Sequence, residues 1–162
     1  MRRRRSRRSK LRRIIREEVN RALLNEEVRS RTLLRWDAGF HGSGELVEFT
    51  GSVEGPFDIG FKHDRLKMPI GLTDSGARLV KRALNAVYNG RKDRVRVEQQ
   101  VGEAIGEDEN FPVFLDVAEK YDSIEYGYIA MSTPGVLIST ANASKFSITL
   151  PNEKVEELLR LL

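Results

Sequence analysis

LKMPIGLTDSGARLVKRAL, residues 66–84, and SKFSITLPNEKVEELLRLL, residues 144–162, carry one pattern twice. In each, apolar residues first alternate with their neighbours, as on a half-buried strand. They then recur every three or four positions, as on a helix buried along one stripe. A short polar residue marks each switch, Asp74 in the first stretch and Asn152 in the second. Both residue types cap helices by accepting from free N–H groups of the first turn. The first helix is expected to bury Ala77, Val80, Ala83, Leu84 and Val87 and to stop at Asn89-Gly90. The second is expected to bury Val155, Leu158, Leu159 and Leu162. At an offset of 78 residues the stretches align without a gap, placing Pro56 on Pro134, Ile70 on Ile148, Leu72 on Leu150 and Val80 on Leu158. Strand-to-helix junctions look alike for physical reasons alone, so the alignment leaves a tandem repeat open.

Outward from these junctions, Glu45–Thr50, Phe57–Lys62 and Leu66–Leu72 read as strands, as do Ser123–Met131, Val136–Thr140 and Lys145–Leu150. Upstream, Leu11, Ile14, Ile15, Val19, Ala22 and Leu23 recur at helical spacing and form one apolar stripe. The fold class expected is α+β: a basic N-terminal arm and helix, then two antiparallel strand-meander-plus-helix units. The expected organisation is a disordered basic arm over 1–9 and an amphipathic helix and connection over 10–35. A first β-meander/helix unit follows over 44–90, a connection over 91–122 and a second unit over 123–162. Inside that connection, Arg94–Gln100 could add a strand, 102–110 (GEAIGEDEN) reads as a solvated acidic loop, and Phe111–Val117 resumes strand character. The alternative for the loop is docking of the basic arm when no nucleic acid is present.

The charge is segregated. Residues 1–16 hold ten bases (Arg2, Arg3, Arg4, Arg5, Arg7, Arg8, Lys10, Arg12, Arg13 and Arg16) and no acid. The other eighteen bases lie beyond with all 24 acids, so a body of net −6 carries the arm of a chain whose total is +4. Adjacent like charges in 1–9 repel and have nothing to bury, so this segment cannot fold alone. Double-stranded DNA presents one negative charge per ~1.7 Å, and each phosphate neutralised releases counterion. Arginine suits that work because its planar fork pairs two phosphate oxygens and stays charged. RNA, DNA and an anionic membrane all qualify as partners by charge. A membrane is disfavoured, because the Leu11–Leu23 stripe lacks aromatics and its polar face turns acidic at Glu17 and Glu18. Bases before acids also oppose the helix macrodipole, which calls for docking or a bound anion.

Several function classes find no support. There is no cysteine, hence no disulfide framework and no thiolate site, which fits a reducing compartment. No apolar run approaches the roughly 18–20 residues of a bilayer span. No nucleophile elbow, phosphate-cradling Gly loop or H-E-x-x-H motif is present. His41 and His63 are isolated, and Asp116, Glu119 and Asp122 have no spacing that separates them from surface charge. The expectation is a protein that is not an enzyme and needs no cofactor or metal. A second basic set, Lys62, Arg65, Lys67, Arg91, Lys92, Arg94 and Arg96, lies near Trp36, Phe57, Phe61 and Tyr88 in sequence. Rings beside cations are what a single-strand groove needs. The bland reading keeps Phe57 and Phe61 in the core. From this set Lys62, Arg65, Lys67, Arg94 and Arg96 join the arm residues as candidate nucleic-acid contacts.

Two resemblances add to this. The two junctions resemble the end of the domain in transcriptional-coactivator-type and Whirly-like single-stranded-DNA-binding proteins. That resemblance implies a curved antiparallel sheet closed by a helix, used in pairs as a single-strand platform. The acidic second unit and the long 91–122 connection depart from it. SKLRRIIREEVNRALLNE, residues 9–26, resembles an N-terminal segment found on many proteins of marine tailed phages. It implies a virion structural or packaged protein as the rival to a nucleic-acid-binding protein. Partners expected are therefore nucleic acid, with a homo-oligomer or virion proteins as the alternative. The location expected is cytoplasmic, or the host cytoplasm or virion for a phage protein.

Overall fold

Alternating apolar residues build the strands of this computed structural model, which describes residues 14–15, 17–18, 31–37, 46–52, 57–63, 69–106, 110–122, 124–126, 129–131, 134–141 and 147–162. The strands β1 (Arg31–Asp37), β2 (Leu46–Gly51), β3 (Ile59–His63) and β4 (Ile70–Leu72) pair in chain order, all antiparallel. Helix α1 (Asp74–Tyr88) follows. A second meander begins with β5 (Arg94–Ile105) and β6 (Asn110–Tyr121) and ends with β9 (Gly135–Ala141) and β10 (Ser147–Pro151). Helix α2 (Asn152–Leu161) closes it. The short strands β7 (Ile124–Tyr126) and β8 (Ile129–Met131) form their own ladder, inserted between β6 and β9. The α+β class holds: β4 pairs with β5, so eight strands make one antiparallel sheet in the order β1-β2-β3-β4-β5-β6-β9-β10.

One core serves the whole sheet. Leu34 and Trp36 of β1, Val47 and Phe49 of β2 and Phe61 of β3 share it with Leu115, Ile138, Ile148 and Leu150 of the second meander. Helix α1 adds Ala77, Val80, Ala83, Leu84 and Val87, the five positions expected from its period, and α2 adds Val155 and Leu158. Leu159 and Leu162 are only partly buried. The two ends of the strand order meet, because the Trp36 Nε1 donates to the main-chain oxygen of Thr149 at 2.7 Å. Helix α2 packs on β1 as well as on β9 and β10, so the sheet curls around both helices. A gap of about 20 Å³ remains among Phe61, Val80, Val101, Leu115 and Ile148, room for no more than one water.

Within the expected connection 91–122, the strand stretches anticipated at Arg94–Gln100 and Phe111–Val117 are longer than expected: β5 and β6 run twelve residues each and pair with each other inside the sheet. Two features concealed the full length of β5. The alternation breaks at bulges between Arg96 and Gln99 and between Gln100 and Gly102. Gly102, read as loop chemistry, is a close-approach residue, since a Cβ there would run into the Gly71 carbonyl. Strand β1 likewise begins inside the expected 10–35 helix and connection and runs past its end, paired with β2 and carrying an Arg35–Glu48 ion pair at 2.7 Å. The caps also differ from expectation. Thr73, not Asp74, caps α1, its hydroxyl accepting from the Gly76 N–H at 3.0 Å. Asn152 is the first residue of α2, and the cap position is Pro151, with no side-chain bond. Asp74 favours its helix through charge in the first turn rather than as the cap.

Candidate nucleic-acid interface

Of the residues singled out from the sequence, Arg2, Arg3, Arg4, Arg5, Arg7, Arg8, Lys10, Arg12, Arg13, Arg65, Lys67 and His41 lie outside the described residues. Next to that arm, Ile14, Ile15, Glu17 and Glu18 are helical, and both isoleucines are exposed. Lys62, Arg94 and Arg96 can be placed, and all three are exposed. They do not form one cluster. Lys62 sits near the end of β3, whose neighbour β4 opens level with Ile105, the Ile105 N–H donating to the Pro69 oxygen at 2.8 Å. Arg94 and Arg96 are at the opposite end of β5. Nine residues at ~3.3 Å each put roughly 30 Å between the Ile105 and Arg96 levels.

Carboxylates temper these positions. Lys62 stands across from Glu48, which is already paired to Arg35. Arg94 stands across from Glu119, 3.9 Å away. Arg94 and Arg96, two apart, share the face opposite Val95 and Val97, whose side chains pack on the core.

Two rings of the expected groove, Trp36 and Phe61, lie in the core, and the other two, Phe57 and Tyr88, are half-buried. Trp36 is spent on its bond to Thr149 inside the core. Phe61 is buried against Phe49, ring centroids 5.0 Å apart. Phe57 packs over Gly71, where a Cβ would strike its ring. The Tyr88 hydroxyl donates to Glu156 of α2, and that bond holds its pKa above the ordinary phenol value. These rings read as groove residues because sequence proximity does not separate strand faces, and the register sets Trp36, Phe49 and Phe61 inward. Among the described residues, the exposed aromatic of the sheet is Phe111 near the start of β6, in the second meander.

Helix α1 presents what the sequence reading passed over. Arg78 and Arg82 are exposed, one turn apart, and Lys81 is half-buried beside them. Beyond the helix, Gly90 takes φ 69, the Lys92 N–H donates to the Ala86 oxygen at 3.1 Å, and Arg91 and Lys92 are exposed. The signal was present, since these bases occupy the complement of the Ala77–Val80–Leu84 stripe. From Ser75 to Val97 there are seven bases and one acid, Asp93. His63, by contrast, is buried at the end of β3.

Among the described residues, no group of His, Asp and Glu is placed to hold a metal, and no helix is long and apolar enough to cross a membrane. Comparison with protein-family models, curated proteins and solved structures finds no match.

Proposed function

We propose that this chain is a non-enzymatic nucleic-acid-binding protein, with single-stranded DNA or RNA slightly favoured and the arm supplying electrostatic affinity. The carrying observation is the segregation of ten bases and no acid into residues 1–16, ahead of a body of net −6. Such an arm attracts a phosphate backbone, and an acidic body limits unselective contact elsewhere. The element order supports the same reading. Four antiparallel strands and a helix occur twice, which is what a tandem repeat of the resembled single-strand-binding unit calls for. In that repeat the halves are β1 to α1 and β5 to α2, with β7 and β8 as an insertion. Lys62, Arg94 and Arg96 stay in the reading as phosphate contacts. Trp36 and Phe61 leave it as stacking platforms.

The test is titration of labelled single-stranded and duplex oligonucleotides at several salt concentrations. The whole chain is compared with one in which Arg2, Arg3, Arg4, Arg5, Arg7 and Arg8 are glutamine. Binding that weakens steeply with salt, with a log–log slope smaller by up to about 4 in the variant, supports the reading for single strands. Absence of binding by the whole chain would falsify it.

The rival, a tailed-phage virion component, draws on the 9–26 resemblance and on the exposed Ile14 and Ile15 of its helical residues, an apolar pair suited to a protein partner. It predicts large rings or lattices by light scattering, where a binding protein forms monomers or dimers.

A further inference from the structure

We infer that the solvent face of α1, together with the turn after it, is a second site for the phosphate backbone of nucleic acid, one that rests on the function proposed above. The exposed line along the helix runs through Ser75, Arg78, Arg82 and Asn89 and continues into Arg91 and Lys92. Arg78 and Arg82 are four residues apart, so their Cβ atoms lie ~6 Å from each other on one side of the helix. From Ser75 to Asn89 the line covers roughly 21 Å at 1.5 Å per residue. A duplex strand carries one phosphate per 3.4 Å, so a backbone lying along α1 meets every cation of the line.

Three observations separate this line from ordinary wet surface. First, it lacks counter-charge. Arg78, Lys81, Arg82, Arg91 and Lys92 have no carboxylate within 4.0 Å among the described residues, unlike Arg35, Arg94, Lys120 and Lys154. Arg31, Lys62, Arg96 and Arg160 also have none, but only here do five such cations follow one helix and its turn, between Asp74 and Asp93. Second, its chemistry is hydroxyl, guanidinium, amide and ammonium, all of them donors to phosphate oxygens. None of the large exposed apolar side chains (Ile14, Ile15, Ile105, Phe111 and Leu161) lies on α1. A protein partner would need an apolar centre to its interface, and a phosphate backbone does not. Third, the helix is held in place. Thr73 caps it, the Thr73 N–H donates to the Val101 oxygen at 3.1 Å, and Gly76 abuts the same strand backbone. Arg91 and Lys92 further offset the negative end of the helix, which would otherwise repel a phosphate.

The experiment compares two full-length double variants that lose the same charge from different places, Arg78→Gln/Arg82→Gln on α1 and Arg31→Gln/Arg160→Gln on exposed positions elsewhere. Glutamine keeps helix propensity, and unchanged denaturation midpoints confirm that both fold. Binding of a labelled 20-nucleotide oligo-dT strand and of a 20-base-pair duplex is read by anisotropy from 50 to 300 mM salt. The expected result is about fivefold to tenfold weaker binding for the α1 variant, with a slope smaller by about 1.4 on the single strand. The control variant should bind within twofold of the unaltered protein. Adding Arg91→Gln and Lys92→Gln should roughly double the loss of slope. Equal weakening in the two double variants reduces the effect to net charge and overturns the site. An unaltered slope in the α1 variant, with binding lost on neutralising the arm, overturns the site while the proposed function stands. Absence of binding by the unaltered protein overturns both.

Discussion

Helices α1 and α2 each close a four-strand meander, and at the offset of 78 residues they begin on matching positions, Asp74 and Asn152. They meet the sheet in different ways. Helix α1 starts with a Thr73 cap and sets Gly76 against the backbone of β5. The corresponding positions in α2 are Pro151, which makes no side-chain cap, and Lys154, which is ion-paired to Glu157 at 2.9 Å. Where α1 buries Ala77 and Val80, α2 buries the larger Val155 and Leu158. The first helix is therefore held by backbone proximity and the second by side-chain bulk. Their outer faces also part: Arg78 corresponds to Glu156 and Ser75 to Glu153. The shared topology thus carries two outer faces that differ in charge at these two positions, while Arg82 corresponds to another exposed arginine, Arg160.

The sharpest way to break this contrast is Gly76→Ala set beside Lys154→Ala. A methyl at residue 76 collides with the Val101 carbonyl, and backbone cannot step aside as a side-chain tip can. A loss of about 3–4 kcal/mol is expected, at the upper end of overpacking. Lys154→Ala loses only a half-exposed i,i+3 ion pair and should cost no more than ~0.5 kcal/mol. Denaturant midpoints with matched slopes decide it, and equal costs would show that the helices seat alike.

Trp36→Phe tests whether the two halves are joined end to end. It removes a buried hydrogen bond and part of a core ring, leaving the Thr149 oxygen short of its 2.7 Å donor. A cost of about 2 kcal/mol is expected. An effect under ~0.5 kcal/mol would mean that the β1–β10 junction contributes little to holding the halves together.

These two positions also mark what was legible in the sequence. The 3.6-residue period of 77–87 named all five buried residues of α1, because a one-sided helix writes its contacts into spacing. The charge segregation was equally plain. Nothing in the spacing said that Gly76 and Gly102 are contact residues, because a glycine needed for close approach looks like a glycine in a turn. That ambiguity hid the far end of β5, read as part of the 102–110 loop. Trp36 and Phe61 were set beside cations by sequence distance, whereas their faces were set by register with β2. Arg78 and Arg82 were recoverable as the complement of the buried stripe, since two faces of one helix are a single pattern.

A smaller effect is expected from Thr73→Ala, which deletes the α1 cap and should cost about 1 kcal/mol, the usual value for a lost N-cap oxygen. The same change should loosen the first turn, seen as faster amide exchange at Gly76, whose N–H would lose its acceptor. Helix α2, which has no side-chain cap, has no equivalent to lose.

The halves differ once more in their tyrosines, and here pH separates them. Tyr121, at the end of β6, lies with its hydroxyl against Gly135, and burial pushes its pKa up to about 12. The Tyr88 pKa is also raised, first by its hydrogen bond to Glu156, then by burial and by the nearby carboxylate charge. For a phenol whose folded pKa exceeds its unfolded value near 10, folding favours the protonated form. Its contribution is complete below pH 10 and is lost as pH rises from there towards about 12. The stability difference between the unaltered chain and Tyr121→Phe should therefore stay constant up to pH 9.5 and then close or reverse by pH 11.5, followed by denaturant midpoint. Subtracting the variant removes the titration of lysines common to both proteins. Tyr88→Phe should show a weaker alkaline trend, because its partner is an exposed carboxylate that water can replace. A Tyr121→Phe difference that stays flat through pH 11.5 would place that hydroxyl in water, and the β6–β9 edge would then be looser than its pairing with Gly135 implies.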